Sequence, residues 1–213
     1  MARIDTSLEA LHEYICGATG SGKSSHVKRV IDKAKRVIVF DPDDEYTGPG
    51  WVRCTSAVEL LDWLHRHPAG GLKIAFVSGG QKAFEFWCKA AFAWGNCVAV
   101  AEEIADVTSP AKAPPAWGTL SRRGRKRGIK IMAVTQRPAE ADKTILTQAA
   151  IIRAGMQGRD ADRQAIAREM NISADVIASL KPLDYVEFKR RDLSVVKGNL
   201  THKRIEQIKA PVT

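Results

Sequence analysis

The segment Gly17–Ser24 constrains the fold of this chain more than any other, because it reads Gly-Ala-Thr-Gly-Ser-Gly-Lys-Ser and matches the Walker A pattern GxxxxGK[ST]. A strand-like segment, 12–17, precedes the loop, and a helix-like segment, about 23–34, follows it. In this setting the glycines let successive backbone N–H groups point at a phosphate, and the start of the helix adds positive potential. The sequence therefore predicts a phosphate-binding loop rather than a glycine-rich turn with an exposed lysine.

Two side chains of the loop have specific expected roles. Lys23 is expected to bridge the β- and γ-phosphates of a nucleotide, and Ser24 to ligate Mg²⁺. The cofactors predicted from this motif are ATP and Mg²⁺. The predicted nucleotide-binding residues are Gly17, Ala18, Thr19, Gly20, Ser21, Gly22, Lys23, Ser24 and Ser25.

Strand-like and helix-like segments alternate along the chain, which predicts an α/β fold. The strand-like segments are apolar throughout, as expected for a mainly parallel sheet covered by helices on both faces. The length of 213 residues suits a single domain with a substantial core. We expect one P-loop ATPase domain over residues 1–200, with a hairpin formed by 185–189 and 193–197 near its end, and a polar C-terminal tail over 201–213.

Composition narrows the class of protein further. The four cysteines lack the spacing of a zinc site, so buried reduced thiols are expected. No apolar run is long enough to cross a membrane, and no secretory signal is visible at the start, so a soluble cytoplasmic protein is expected. The formal net charge of +9 is compatible with a polyanionic partner.

Two adjacent acids, Glu102 and Glu103, follow the apolar run 97–101. An ATPase needs carboxylates at the end of a buried strand, one to hold Mg²⁺ and one to activate water. We assign Glu102 to the metal and Glu103 to water; the alternative is a pair of acids at the start of a helix. A third strand-like run, 129–135, leads to Gln136. Taken alone, Thr135-Gln136 at the end of a strand indicates only a turn. Together with the Walker A loop and the two glutamates, Gln136 is expected to act as a γ-phosphate sensor if its strand lies between the strands that precede that loop and Glu102.

The stretch between Val107 and Ala139 contains no Asp or Glu. Such an acid-free basic stretch suggests contact with phosphates, either of DNA or of ATP on a neighbouring subunit, whereas a solvated surface usually mixes both signs. Trp117 within it could stack on a base but is more often a packing residue. The basic residues of the stretch are Lys112, Arg122, Arg123, Arg125, Lys126, Arg127, Lys130 and Arg137.

Taken together, the segments GATGSGKSS, VFDPDDEY, VAVAEE, SRRGRKRGIKIMAVTQRP and ILTQA resemble the FtsK–HerA superfamily of DNA-pumping ATPases, over about residues 12–200. Within it the chain is most similar to the genome-packaging ATPases of tailless phages with an internal membrane and of related archaeal viruses. This resemblance implies a RecA-like core of the ASCE class, a homo-oligomeric ring that is expected to be a hexamer, and ATP-driven translocation of double-stranded DNA.

The resemblance also implies roles for single residues. Arg125 precedes Gln136 by eleven residues, an offset similar to that of the arginine finger in superfamily relatives, and Arg122 is the second candidate. Asp41 follows the strand-like segment 36–40, either close to the nucleotide edge of the sheet or as part of a simple Asp-Pro turn. It stays outside the predicted catalytic set of Lys23, Glu103, Gln136 and Arg125.

The expected function is therefore the packaging of a viral genome, in the host cytoplasm or on the virion, with a capsid vertex or membrane protein as docking partner. A host HerA-type or conjugation-coupling ATPase is the alternative within this class, although such relatives usually carry an extra N-terminal domain or an anchor. The chain also resembles filamentous-phage assembly ATPases, but those proteins carry a transmembrane segment, and no such segment is expected from this sequence. A P-loop switch protein or a small-molecule kinase is the alternative from a different class.

Overall fold

A computed structural model describes residues 4–9, 11–202 and 205–211 of the chain. All strands of these residues join one sheet of ten strands. The strands are β1 Glu13–Cys16, β2 Arg36–Phe40, β3 Trp51–Cys54, β4 Leu72–Phe76, β5 Val98–Ala101, β6 Lys130–Thr135, β7 Ile151–Gly155, β8 Asp184–Lys189, β9 Ser194–Asn199 and β10 Ile205–Lys209. The α-helices are α1 Lys23–Asp32, α2 Ala57–Arg66, α3 Gln81–Trp94, α4 Pro115–Arg123, α5 Lys143–Gln148, α6 Asp160–Met170 and α7 Ala174–Ala178.

The strand order across the sheet is β10-β9-β8-β7-β1-β6-β5-β2-β4-β3. The pairs from β7 to β3 are parallel, and those from β7 to β10 are antiparallel. The predicted α/β class, the mainly parallel sheet and the C-terminal hairpin, here β8 and β9, are therefore confirmed.

Both faces of the central strands are buried, which explains why most positions of these strands are apolar. Along β1, Tyr14 and Cys16 belong to the larger core cluster, whereas Ile15 belongs to the smaller one with Val27 and Ile31 of α1. Successive side chains of a strand point to opposite faces, so the two clusters lie on opposite sides of the sheet. Helix α1 thus covers one face beside the loop that precedes it.

Two strands differ from the expectations. Strand β3 is a short edge strand with an exposed arginine, Arg53, so its apolar pattern is weak. Strand β10 lies within residues 201–213, which the sequence assigns to a tail, and it pairs antiparallel with β9. Polar and charged side chains dominate it, so its position in the sheet depends on backbone pairing with β9 rather than on an apolar pattern. Residues 203, 204, 212 and 213 of the expected tail lie outside the described residues.

Other expectations concern single residues. The four cysteines are free and buried, as predicted. Trp117 is fully buried and its indole Nε1 donates to Oδ2 of Asp142, 3.0 Å away, so the base-stacking role considered for it is wrong. No helix in the described part of the chain is both long and apolar enough to span a membrane.

Candidate functional site

The candidate site lies at the carboxyl edge of four adjacent strands. Strand β6 lies between β1 and β5, and β2 lies on the other side of β5. Because these strands are parallel, the residues that follow them meet at one edge of the sheet, where α/β proteins bind their ligands. Gln136 directly follows β6, the phosphate-binding loop follows β1, and Glu102 follows β5. Because β6 lies between β1 and β5, Gln136 has the position that the sensor role requires.

The phosphate-binding loop has the backbone that its glycines predict. Gly20 and Gly22 have φ angles of 78° and 91°, a left-handed region that side chains disfavour. Helix α1 begins at Lys23 without a side-chain cap and without an acidic residue in its first turn. Its first N–H groups are therefore available to a phosphate, and the helix dipole favours negative charge there.

The base of the loop is packed against β7. Ala18 donates its backbone N–H to the carbonyl of Met156 at 2.8 Å, and the buried Ser21 lies directly against Gly155. A Cβ placed on Gly155 would lie 2.8 Å from the Cβ of Ser21, closer than ordinary carbon contacts allow. The absence of a side chain at position 155 therefore lets the loop approach the sheet.

Lys23 lies over the loop with its ammonium group turned inward. Its Nζ donates to the carbonyl oxygen of Gly17 at 2.7 Å. Partial burial lowers the pKa of this ammonium group from its ordinary value, while the nearby Glu103 and Glu102 oppose that change. The ammonium group thus stays next to the position that phosphates would take.

A chain of hydrogen bonds joins the loop to Glu103 through Gln136. Thr19 donates its hydroxyl to Oε1 of Gln136 at 2.8 Å. Gln136 in turn donates its Nε2 to Oε1 of Glu103 at 2.9 Å and its backbone N–H to Oε2 at 3.1 Å. Glu103 has a φ of 42°, uncommon for a residue with a side chain, and this turn directs its carboxylate toward Gln136.

Glu102 is held in a different environment from its neighbour. It is buried at the end of β5, and its Oε1 accepts a hydrogen bond from the hydroxyl of Tyr46. Burial raises the pKa of Glu102 to about 7, and the hydrogen bond from Tyr46 opposes this rise. The two adjacent acids therefore differ in their surroundings: Glu102 is buried, whereas Glu103 is half-buried, and both line the pocket.

Asp41 and Tyr46 complete the site, and the sequence does not assign either of them to it. Asp41 is buried at the end of β2 and accepts the backbone N–H groups of Glu45 and Tyr46 at 2.9 and 3.0 Å. The signal for Asp41 was its place after a buried strand, the same signal that identifies Glu102. Tyr46 gives no such signal, because it comes five residues after Asp41 in an irregular loop.

These groups line one pocket of about 280 Å³. The loop residues whose side chains or backbone reach it are Thr19, Gly20, Gly22, Lys23, Ser24 and Ser25. The other lining residues are Asp41, Asp43, Glu45, Glu102, Glu103, Gln136 and Leu183. Of the predicted nucleotide-binding residues, Gly17, Ala18 and Ser21 form the base of the loop and do not line the pocket.

The pocket offers the ligands that Mg²⁺ prefers. Ser24 and Glu102 both line the pocket, and a hydroxyl and a carboxylate are hard oxygen donors. Tyr46 occupies Oε1 of Glu102, and within the described residues Oε2 accepts no hydrogen bond. The residues present therefore fit a magnesium ion bound together with nucleotide phosphates.

Arg125 lies away from this pocket. It belongs to a 3₁₀ turn, Gly124–Arg127, before the start of β6, whereas the pocket lies after the end of β6. Its Nη1 donates to the carbonyl oxygens of Thr6 and Leu8, at 3.4 and 2.7 Å. The length of β6, about 17 Å at the usual rise per residue, separates it from the phosphate-binding loop of its own chain.

The basic stretch contains two kinds of residue. Arg127 is buried, with its guanidinium 4.9 Å from the ring centre of Phe92, and Lys130 forms an ion pair with Glu13. These side chains stabilise the domain and are not available to a polyanion. The exposed basic residues of the stretch are Lys112, Arg122, Arg123 and Arg137, whereas Arg125 and Lys126 are half-buried.

Known proteins resemble this chain in sequence and in fold. The family model described as DUF87, the central domain of helicase HerA, matches residues 2–76. Protein P9 of Pseudoalteromonas phage PM2 is 33% identical over 198 residues, which cover 89% of this chain and 89% of P9.

Solved structures share the fold. The genome-packaging NTPase B204 of Sulfolobus turreted icosahedral virus 2, in complex with AMPPCP, matches with a TM-score of 0.68 and 18% identity, over 95% of this chain and 98% of that one. B204 of Sulfolobus turreted icosahedral virus, described as a DNA-packaging ATPase, matches with a TM-score of 0.61 and 16% identity, over 96% and 99% of the two chains. Given this fold, the pocket and the extent of the match to P9, the chain belongs to the family of phage PM2 protein P9, within the FtsK–HerA superfamily of P-loop ATPases.

Proposed function

We propose that this protein hydrolyses ATP to move double-stranded DNA, and that it packages a viral genome into a preformed capsid. The observation that carries the proposal is the single pocket that contains Lys23, Ser24, both glutamates and Gln136. A kinase needs no carboxylate next to the γ-phosphate to activate water, whereas a hydrolase does. The relationship to P9 and the likeness to the packaging NTPase B204 support the choice of DNA as the cargo.

The chemistry assigns one task to each residue. The N–H groups of the loop and Lys23 bind the phosphates, and their positive charge stabilises the transition state. Ser24 and Glu102 would hold Mg²⁺, which neutralises charge on the phosphates when it is bound. Glu103 orients water and accepts its proton. Gln136 contacts Glu103 and Thr19, so it links the state of the γ-phosphate to the position of the base.

We assign the arginine finger to Arg125. In a homo-oligomeric ring, which we expect to be a hexamer, Arg125 of one subunit would act on the pocket of its neighbour. Since Arg125 lies at the edge of the sheet opposite its own loop, it can only serve a pocket of another chain. Only its Nη1 donates to the carbonyls of Thr6 and Leu8, and within the described residues Nε and Nη2 donate no hydrogen bond, so they remain available to a phosphate. Arg122 is exposed and is the alternative finger.

The DNA partner is expected to contact the exposed arginines of α4. We expect duplex DNA of any sequence to stimulate phosphate release, and the logarithm of the binding constant to fall with the logarithm of salt concentration. Replacing Arg122 and Arg123 by Ala removes two phosphate contacts and lowers the slope by about 2. Replacing Lys33 and Lys35, exposed basic residues outside the stretch, serves as the charge-matched control.

Translocation itself is tested by displacement of a triplex-forming strand from duplex DNA, with the Lys23→Ala variant as the inactive control. Release of the third strand that depends on ATP hydrolysis supports a motor. Phosphate release without DNA stimulation and without displacement would contradict the proposal, and an ATP-dependent phosphorylated product would indicate a kinase. The docking protein at the capsid or membrane, and action in the host cytoplasm or on the virion, belong to the same proposal.

A further inference from the structure

The loop between β2 and β3 brings a tyrosine into the proposed metal site. Strands β2 and β5 are paired in parallel, with Phe40 opposite Ala101, so that Asp41 and Glu102 follow side by side. The backbone N–H of Glu102 donates to the carbonyl of Phe40 at 3.2 Å, which keeps the two strand ends together. Any residue that folds back over the end of β2 therefore comes close to Glu102.

Asp41 makes the loop fold back. Its two carboxylate oxygens separately accept the N–H groups of Glu45 and Tyr46, and the residue is fully buried. Two bonds to consecutive backbone groups fix the direction of the chain at Tyr46. The side chain of Tyr46 is thereby turned inward, where it is 1% exposed.

The ring of Tyr46 is held from two sides. Trp51 lies 5.4 Å from it between ring centres, and Nζ of Lys28 lies 5.3 Å from the ring centre. The hydroxyl then donates to Oε1 of Glu102, a residue that lines the pocket, whereas Oε2 accepts no hydrogen bond within the described residues. A buried carboxylate with one oxygen fixed has lost most of its rotational freedom, so the second oxygen has a defined position.

We propose that Tyr46 is a positioning residue that fixes the rotamer of Glu102 so that this carboxylate presents one oxygen to the magnesium ion of the bound nucleotide. The inference rests on the proposed function, because it takes Glu102 as the acid that holds the metal. Tyr46 itself is not among the residues that line the pocket. Tyr46 therefore affects the metal requirement of nucleotide binding and has no effect on metal-free binding.

The Tyr46→Phe variant tests this. The ring and its packing against Trp51 are kept, and only the hydroxyl is lost. Binding of a fluorescent, non-hydrolysable ATP analogue is titrated with Mg²⁺ and compared with binding in EDTA. We expect the Mg²⁺ concentration for half-maximal effect to rise about tenfold, as for the loss of one hydrogen bond to a charged group, and the affinity in EDTA to stay unchanged.

Tyr14→Phe is the matched control, because the Tyr14 hydroxyl is buried and has no hydrogen-bond partner among the described residues. Its Mg²⁺ dependence is expected to equal that of the unaltered protein. A double-mutant cycle with Glu102→Gln adds a second readout: if Tyr46 acts through Glu102, Tyr46→Phe adds no further change in that background.

The experiment distinguishes a failure of the proposed function from a failure of the role of Tyr46 alone. If the unaltered protein bound the analogue without any effect of Mg²⁺, the assigned metal site and with it the proposed function would fail. If the unaltered protein depended on Mg²⁺ and Tyr46→Phe had the same dependence, only the role of Tyr46 would fail. Equal weakening with Mg²⁺ and with EDTA would also overturn it, since that result indicates a general change in the pocket.

Discussion

Gly155 offers a direct test of how the sheet shapes the phosphate-binding loop. In the Gly155→Ala variant the new Cβ would lie 2.8 Å from Cβ and 3.0 Å from Oγ of Ser21, and 3.3 Å from its carbonyl oxygen. Neither residue can move freely, because Ser21 is buried and Gly155 belongs to β7. We therefore expect the loop to shift away from the sheet, together with the N–H groups proposed to bind phosphate.

The size of the expected loss in binding and in stability follows from the free-energy cost of overpacking, which is about 1–3 kcal/mol for an extra methyl group in a tightly packed site. If nucleotide binding requires the original loop position, affinity falls by about 5- to 140-fold, at about 1.4 kcal/mol for each factor of ten. The midpoint of thermal unfolding is expected to fall by about 2–4 °C per kcal/mol of strain. The assays are titration with a fluorescent ATP analogue and a thermal melt.

Two further variants decide whether the clash is the cause. Gly158→Ala is the control, since a Cβ there meets no atom within 4 Å, and we expect unchanged binding. Adding Ser21→Gly to Gly155→Ala removes both side-chain atoms of the clash, so binding is expected to recover in part. Unchanged affinity of Gly155→Ala, or no recovery in the double variant, would refute the link between β7 and the loop.

Three other predictions concern catalysis, assembly and pH. Glu103→Gln is expected to bind ATP but to hydrolyse it about 10²- to 10⁴-fold more slowly, because an amide cannot accept a proton; if only Glu102→Gln had this effect, the two roles would be reversed. Arg125→Ala subunits mixed with Lys23→Ala subunits are expected to recover ATPase activity, since a finger acts on the intact loop of a neighbour; no recovery at any mixing ratio, or full activity of Arg125→Ala alone, would count against the finger. Burial lowers the pKa of His12 from 6.5 to about 4, so the unfolded chain takes up the proton first as pH falls, and stability is lost between these values. Urea melts are expected to show a loss of about 2 kcal/mol from this residue between pH 7.5 and 5, and a His12→Gln variant with the same pH slope would contradict it.

The sequence predicts those parts of the site that depend on local pattern. The phosphate-binding loop is contiguous, and Glu102, Glu103 and Gln136 each follow an apolar run that can only be a buried strand. Their meeting at one edge follows from parallel pairing. The apolar pattern and the position directly after it therefore suffice to predict these residues.

Contacts between distant segments could not be predicted in this way. The bond between Tyr46 and Glu102 joins residues 56 positions apart, and it depends on the turn that Asp41 imposes on an irregular loop. Arg127 looks like part of a basic surface, yet it is buried because α3 offers it the carbonyl of Ala93 and the ring of Phe92. Whether a charged side chain is buried depends on partners from distant segments, which the local sequence does not reveal.

The pairing of β1 has a consequence for how the molecule is made. Both neighbours of β1 in the sheet, β6 and β7, come from the second half of the chain. While the protein is being synthesised, the strand that leads into the phosphate-binding loop has no partner until these late segments emerge, and closing such long-range contacts is slow. We therefore expect chains that end before β6 and β7 not to bind ATP, so that nucleotide binding would indicate a completed central sheet.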